Sequence, residues 1–364
     1  MSERPEAGPD AFETRAIHAG QEPDAATGAV VPPISLATTF AQDAVGKHRG
    51  YEYARSANPT RDALETCVAS LENARHGLAF ASGLAAEDAV LRTLDPGDHI
   101  IIPTDAYGGT FRLVARVHER HGLAWTAADL HDPDALEAAW RDETRLVWIE
   151  SPTNPALSIV DIERAAEVAR RRGARVAVDN TFATPVNQRP LELGADFVVH
   201  STTKYLGGHS DVVGGVVVTR HPEWYERLRF VQNAVGAVPG PMDCFLVHRG
   251  LRTLHLRMEA HARSAAAVVE MLRAAPGVQD VRWPGFSGMV SFRHPDATGI
   301  AARTRLFTLA ESLGGVESLI EVPQAMTHQS VEGSAAAVPA DLVRLSCGIE
   351  DPQDLVDDLR AALG

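Results

Sequence analysis

Cysteine is scarce in this chain: Cys67, Cys244 and Cys347 are the three among 364 residues, and they form no C-x-x-C pair. Such spacing speaks against a structural zinc site or a disulfide framework and fits a reduced compartment, each thiol being expected as a small buried residue. Positive charge is also in short supply, with 34 Lys and Arg against 48 Asp and Glu, a formal charge of −14 and a pI near 5.5. General attraction to nucleic acid or anionic lipid needs clustered cations, so no partner of either kind is expected. No apolar run approaches the roughly 20 residues of a membrane span. Met1 to Asp10 lack the basic, apolar and small-residue succession of an export signal, so the expected location is cytoplasmic. The 15 histidines contain no H-E-x-x-H; His118 and His121 read as surface residues on a polar helix, and no metal is expected.

What is present is the composition of a globular protein, 45% apolar and 23% charged, long enough for one large core and a second smaller one. Short apolar runs ending in polar residues alternate with helical patterns, the signature of an α/β domain with a mainly parallel sheet. Candidate strands are His99–Pro103, Leu146–Glu150, Val176–Asp179 and Phe197–His200, and amphipathic stretches run over Thr110–His121 and Ile162–Arg172. Pro23, Pro32 and Pro33, with several glycines, keep the first residues from long regular elements, so 1–56 reads as an arm laid over something else, a second subunit being the candidate. Residues 57–238 then form the large domain. Glycines and prolines at Gly236–Pro241 mark a boundary, and one long helical pattern from Met242 to about Ala275 opens a smaller α/β domain over 239–364.

Ligands of open parallel sheets bind outside the carboxyl ends of the strands. The run RLVWIE ends in Glu150, RVAVDN in Asp179 and DFVVHSTTK in Ser201, Thr203 and Lys204. A lone Asp at such a place would more simply cap a helix, and a lone lysine is ordinarily solvated. Together they match what pyridoxal phosphate requires: an amine to hold it covalently, a carboxylate at the pyridine nitrogen, a phosphate cup and an aromatic ring. The cup would come from Ser82, Gly83 and Leu84, where FASGLAAEDAV turns into a helix whose first N–H groups face an anion. Ser201 and Thr203 would add hydroxyls from one side of an extended chain. Lys204, desolvated beside a glycine-rich stretch, would have its pKa lowered and act as nucleophile and base.

The stretches AVVPPISLATTF, YEYARSANPTR, LAFASGLAAE, DAYGGTFR, WIESPTNP, VDNTFATP, HSTTKYLGGHSDVVGG, LRFVQNAVGAVPGPMDC, LAESLGGVESL and LVRLSCGIED run nearly end to end. With them the chain resembles the cystathionine γ-lyase and γ-synthase family of pyridoxal phosphate enzymes. The resemblance implies a fold-type-I, aminotransferase-like large domain, an N-terminal arm and a smaller C-terminal domain, here shortened near 285–289. It also implies roles. Lys204, Tyr107 and Asp179 would be catalytic, Tyr107 stacking on the cofactor and exchanging protons through a phenol whose pKa the cationic cofactor can depress. Gly83, Leu84, Ser201 and Thr203 would hold the phosphate, and Tyr53 and Arg55 would reach the phosphate of a neighbouring subunit in a homotetramer built as a dimer of dimers. Arg344 would pair with the substrate α-carboxylate, with Asn154, Ser312, Leu313 and Arg112 around it. Glu311 favours γ chemistry. The activity so implied is γ-elimination of L-cystathionine to cysteine, 2-oxobutyrate and ammonia, with γ-replacement of an activated homoserine by cysteine, or by an unusual acceptor, as the alternative.

Overall fold

The structure, a computed structural model, describes residues 10–327 and 338–364, so most of the segment read for an export signal lies outside the described residues. Seven strands form the larger sheet, in the spatial order His76–Phe80, Gly215–Thr219, Phe197–Ser201, Arg175–Asp179, Thr144–Glu150, His99–Pro103 and Ala124–Ala128. Every pair from Phe197–Ser201 to Ala124–Ala128 is parallel; Gly215–Thr219 runs antiparallel to both neighbours. The four strands expected from the sequence are all present, lengthened by a residue or two except His99–Pro103. Their near-continuous apolar character follows from burial on both faces: Val198 and Val216 face one core cluster, Phe197, Val199 and Trp148 the other.

The second sheet has five strands, in the order Gln279–Arg282, Met289–Arg293, Leu342–Ser346, Leu319–Glu321 and Thr308–Leu309. Helices Leu254–Ala274 and Pro352–Leu363 pack on it through Val268, Leu272, Leu355 and Leu359. The two β-strands flanking the shortened 285–289 stretch pair directly, Arg282 opposite Ser291.

Two helical expectations are corrected. The pattern from Met242 to Ala275 is two helices, Pro241–Leu251 and Leu254–Ala274. A Cβ on Gly250 would meet the Gly207 carbonyl oxygen at 2.3 Å, so the helix end is pressed against backbone. Its freed Gly250 carbonyl is taken by the Arg257 guanidinium at 2.7 Å instead of by a continuing helix. Thr110–His121 is likewise composite: an α-turn over Gly108–Arg112, a wider π-type turn over Leu113–His118 and a tight last turn over Glu119–His121. His118 is not a surface residue, being 7% exposed with its Nε2 at 2.8 Å from Asp88 Oδ1.

The three cysteines are free and buried. The N-terminal segment begins with the helix Phe12–His18, which seats Ala16 in the core beside Leu64, Cys67 and Val68 while Arg15 donates to the Ser70 carbonyl. Beyond it the chain runs exposed to a short hairpin, Gln42–Ala44 against Lys47–His48. Among the described residues no helix is long and apolar enough to cross a membrane.

Candidate active site

Because parallel strands share a direction, their carboxyl ends form one rim, and there a cavity of about 290 Å³ opens. It is lined by Ser82, Gly83, Leu84, Tyr107, Asn154, Asp179, Ser201, Thr203, Lys204, Glu311, Ser312, Leu313 and Arg344, all singled out from the sequence. Tyr53, Arg55 and Arg112 do not line it. Tyr53 is 47% exposed, and Arg55 donates to the Asn233 carbonyl on helix Pro222–Val235.

On one side the Ser82 hydroxyl accepts the Ala85 N–H at 3.0 Å and so caps helix Gly83–Leu91. The earlier N–H groups, of Gly83 and Leu84, belong to cavity-lining residues and carry the helix dipole's positive end. A Cβ on Gly83 would come within 2.9 Å of the Ser201 Cβ, so only glycine lets the helix start approach the strand end. Ser201 and Thr203 both reach the cavity, though not along an extended chain. The backbone turns, Lys204 N–H donating to the Ser201 carbonyl at 3.2 Å, and the Thr203 hydroxyl accepts the Gly214 N–H at 3.1 Å.

On the opposite side Lys204 Nζ donates to Ser312 Oγ at 2.7 Å. Ser312 holds φ at 91°, a left-handed conformation that costs a non-glycine residue on the order of 1–3 kcal/mol. Its carbonyl accepts from Arg344 Nη2 at 2.9 Å, and Asn154 Oδ1 accepts from Nη1 at 2.8 Å. The strand of Arg344, Leu342–Ser346, is central in the small sheet, and register places Arg344 opposite Glu321, whose Oε2 lies 3.0 Å from Nη2. Glu321 was not legible as a site residue, because its partner comes from the neighbouring strand.

Burial dominates the electrostatics. It lowers the Lys204 pKa to about 8, helped by Arg344 and opposed by Glu321 and Glu311. Burial raises the Asp179 carboxyl, while hydrogen bonds from Thr181 pull it back down. Glu150, opposite Asp179 in register, is pushed well up by burial and by that neighbour, and its Oε1 accepts the Tyr107 N–H at 2.7 Å. Among the protein's own groups, burial, then Glu87, raise the Tyr107 phenol above the ordinary value. Burial is the larger cause, and the depressed value expected of this phenol belongs to a site that holds the cationic cofactor. Glu87, another cavity residue missed in the sequence, lies one turn into helix Gly83–Leu91, where an acid in SGLAAEDAV reads as solvated.

Residues 13–364 match the model of the Cys/Met metabolism PLP-dependent enzyme family. The chain belongs to this family. It is 55% identical over 373 residues to a cystathionine gamma-synthase of Mycobacterium tuberculosis, covering 96% of each protein. A cystathionine gamma-lyase of Dictyostelium discoideum is 48% identical, with 96% of this chain and 97% of that protein covered. The crystal structure of metB from Corynebacterium glutamicum superposes with a TM-score of 0.96 at 48% identity, covering 98% of each chain. The family's pyridoxal phosphate dependence fits the cavity. A cationic ring nitrogen would answer the buried carboxyls, among which Glu87 Oε2 is left without a hydrogen-bond partner, and the close Gly83–Ser201 approach leaves backbone N–H groups for a phosphate.

Proposed function

We propose that this chain catalyses γ-replacement, joining cysteine to an activated homoserine to form cystathionine, with Lys204 as the covalent anchor of pyridoxal phosphate. The observation that carries the reading is the Lys204–Ser312–Arg344 chain of contacts, in which one residue bonds both the reactive amine and the fork that suits a substrate carboxylate. A substrate α-carboxylate on Arg344, steadied by Asn154, puts the adjacent α-carbon within reach of Lys204. When bound, pyridoxal phosphate supplies the electron sink for the broken Cα–H bond.

Lys204, lowered to about 8, is partly unprotonated near neutral pH and moves the α-proton. Asp179 holds negative charge for the ring nitrogen. Tyr107, which keeps its proton, donates it to the departing γ-group. Ser82, Gly83, Leu84, Ser201 and Thr203 hold the phosphate, and Tyr53 and Arg55, turned away from their own cavity, serve a neighbouring subunit's phosphate in a composite site. Glu311 and Leu313 line the γ side, and Arg112 stands on the helix that begins beside Tyr107.

The choice of replacement over elimination is supported by identity, 55% to a protein named a synthase against 48% to one named a lyase. The sequence blocks placed elimination of L-cystathionine first, and that reaction would use the same residues. Purified holoenzyme given O-acylhomoserine and cysteine should form cystathionine faster than it releases 2-oxobutyrate from L-cystathionine. The opposite ratio returns the assignment to the lyase, and silence in both assays removes it.

A further inference from the structure

Behind the rim, on the face of the large sheet turned away from the cavity, lies a polar cluster that the chemistry above does not use. Side chains alternate along a strand, so the neighbours of the rim residues point to that far face. Asn180 follows Asp179 and continues the ladder, its N–H donating to the Val199 carbonyl at 2.9 Å; His200 precedes Ser201. Both side chains are buried, and one acid meets them both. Glu72, itself 0% exposed, caps the end of helix Pro59–Leu71; its Oε1 lies 2.6 Å from His200 Nε2 and accepts from Asn180 Nδ2 at 3.1 Å. The cluster also reaches a third strand end. Asn180 Nδ2 donates to the Gln188 carbonyl at 2.8 Å, and Gln188 Nε2 donates to Asn180 Oδ1 at 2.9 Å and to the carbonyl of Ser151, the residue after Glu150, at 2.8 Å.

Packing alone does not call for these groups. Two positions earlier on the same face stand Val178 and Val198, paired in register and each in an apolar core cluster. Polar side chains buried in their place carry a desolvation cost that only specific bonds offset, and the offset is incomplete: Glu72 Oε2 and His200 Nδ1 have no hydrogen-bond partner. What the bonds accomplish is placement. On the cavity face Thr181 links two strand ends, its N–H bonding Asp179 Oδ1 at 2.9 Å and its hydroxyl accepting the Ser201 N–H at 2.9 Å. Glu72 makes the matching link on the far face, through the residue beside each.

We infer that Glu72 is a positioning residue for the cofactor site, spacing the Asp179 carboxyl from the Ser201 side of the phosphate cup through Asn180 and His200. This role rests on the pyridoxal phosphate reading above and deepens it. A rigid ring held by its nitrogen at one end and its phosphate at the other is sensitive to the distance between the groups that hold it. The contact with His200 exists whichever of the two partners carries the proton.

The test is a titration of apoprotein with pyridoxal phosphate, read by visible absorbance, beside thermal melting of the same apoproteins. Glu72→Ala should weaken cofactor binding about tenfold, and Glu72→Gln, whose amide still meets His200 and Asn180, should stay within about twofold of the wild type. Both variants should melt earlier, so affinity and stability part company, which an acid serving the fold alone would not produce. Deoxypyridoxal, the same ring without the phosphate, engages one end only and should lose less than about threefold in Glu72→Ala. Wild-type cofactor affinity in Glu72→Ala, equal losses in the Ala and Gln variants, or an equal loss with deoxypyridoxal overturns the spacing role. If Glu72→Ala does not fold, Asn180→Ala cuts the tie to the Asp179 strand while leaving Glu72 on His200, and unchanged affinity there overturns it too. A wild type that takes up no cofactor fails the pyridoxal phosphate reading, whereas a wild type that binds it with Glu72→Ala unaffected fails Glu72 alone.

Discussion

The cavity wall and the N-terminal arm carry groups assigned to the same chemistry, and the chain treats them in opposite ways. On the wall each functional side chain is fixed by a partner from another element: Lys204 by Ser312, Arg344 by Asn154 and Glu321, Glu150 by Tyr107. In the arm, Val30 is 73% exposed and Tyr53 47%, and both strands of the hairpin over Gln42–His48 are exposed. A wall completed within one chain is organised before any ligand arrives. The arm is tied down at its two ends, by Ala16 in the core and by Arg55 on the Asn233 carbonyl, and leaves Val30, Val31 and Leu36 exposed between them.

The largest effect should come from the wall. Lys204→Ala should lower turnover by about 10³-fold or more, as expected for a residue that is both anchor and proton carrier; near-native rates in a cystathionine assay would break the assignment. Next comes Arg344→Lys, which keeps the charge but loses the fork and the bonds to Asn154 and the Ser312 carbonyl. KM for the amino-acid substrate should rise about thirtyfold, roughly 2 kcal/mol, in steady-state kinetics. An unchanged KM would place the carboxylate elsewhere.

Arg55→Ala tests the arm. Weakening of cofactor binding by about tenfold, read by titrating apoprotein with pyridoxal phosphate, is the scale of one charge-assisted contact. The sharper version mixes Arg55→Ala with Lys204→Ala subunits. Recovery of activity in the mixture would show the arm of one subunit completing the site of another; no recovery would confine Arg55 to its own chain and erase the contrast drawn above.

The smallest effect is on stability against pH. Lys204 has a folded pKa near 8, below its ordinary value of 10.5. Between those values the unfolded chain binds the proton and the folded one does not, so stability gained from this group rises as pH increases across that window and is absent below it. Melting curves of the apoprotein should therefore gain on those of Lys204→Met from about pH 8 upward; parallel curves would mean that the amine is not desolvated.

Legibility followed distance along the chain. Lys204, Asp179 and Glu150 could be found because each ends a run of alternating or continuous apolar residues, and the end of a parallel strand is a place with known geometry. Ser82 could be found because a small hydroxyl before a helical pattern is a cap. For Arg344 nothing nearby in sequence announces Asn154, 190 positions away, as its partner. Glu87 and His118 are both buried against the same expectation: a helix periodicity shows which face is polar but not that a neighbouring element closes over it, as the helix carrying Asp88 does over His118. The break after Leu251 was hidden because it is caused by contact with Gly207, not by a local breaker.

By itself the sequence determined the α/β class, the strands that reach the rim, and the amine, phenol and carboxylate that the chemistry needs. These depend on side-chain period and on residue type, which are local properties. Tertiary structure alone decided which charges meet. Only packing brought Glu321 onto Arg344, set Ser312 between that arginine and Lys204, and buried three carboxyls around one cavity, because a pKa or an ion pair depends on what desolvates a group and what lies within a few ångströms of it.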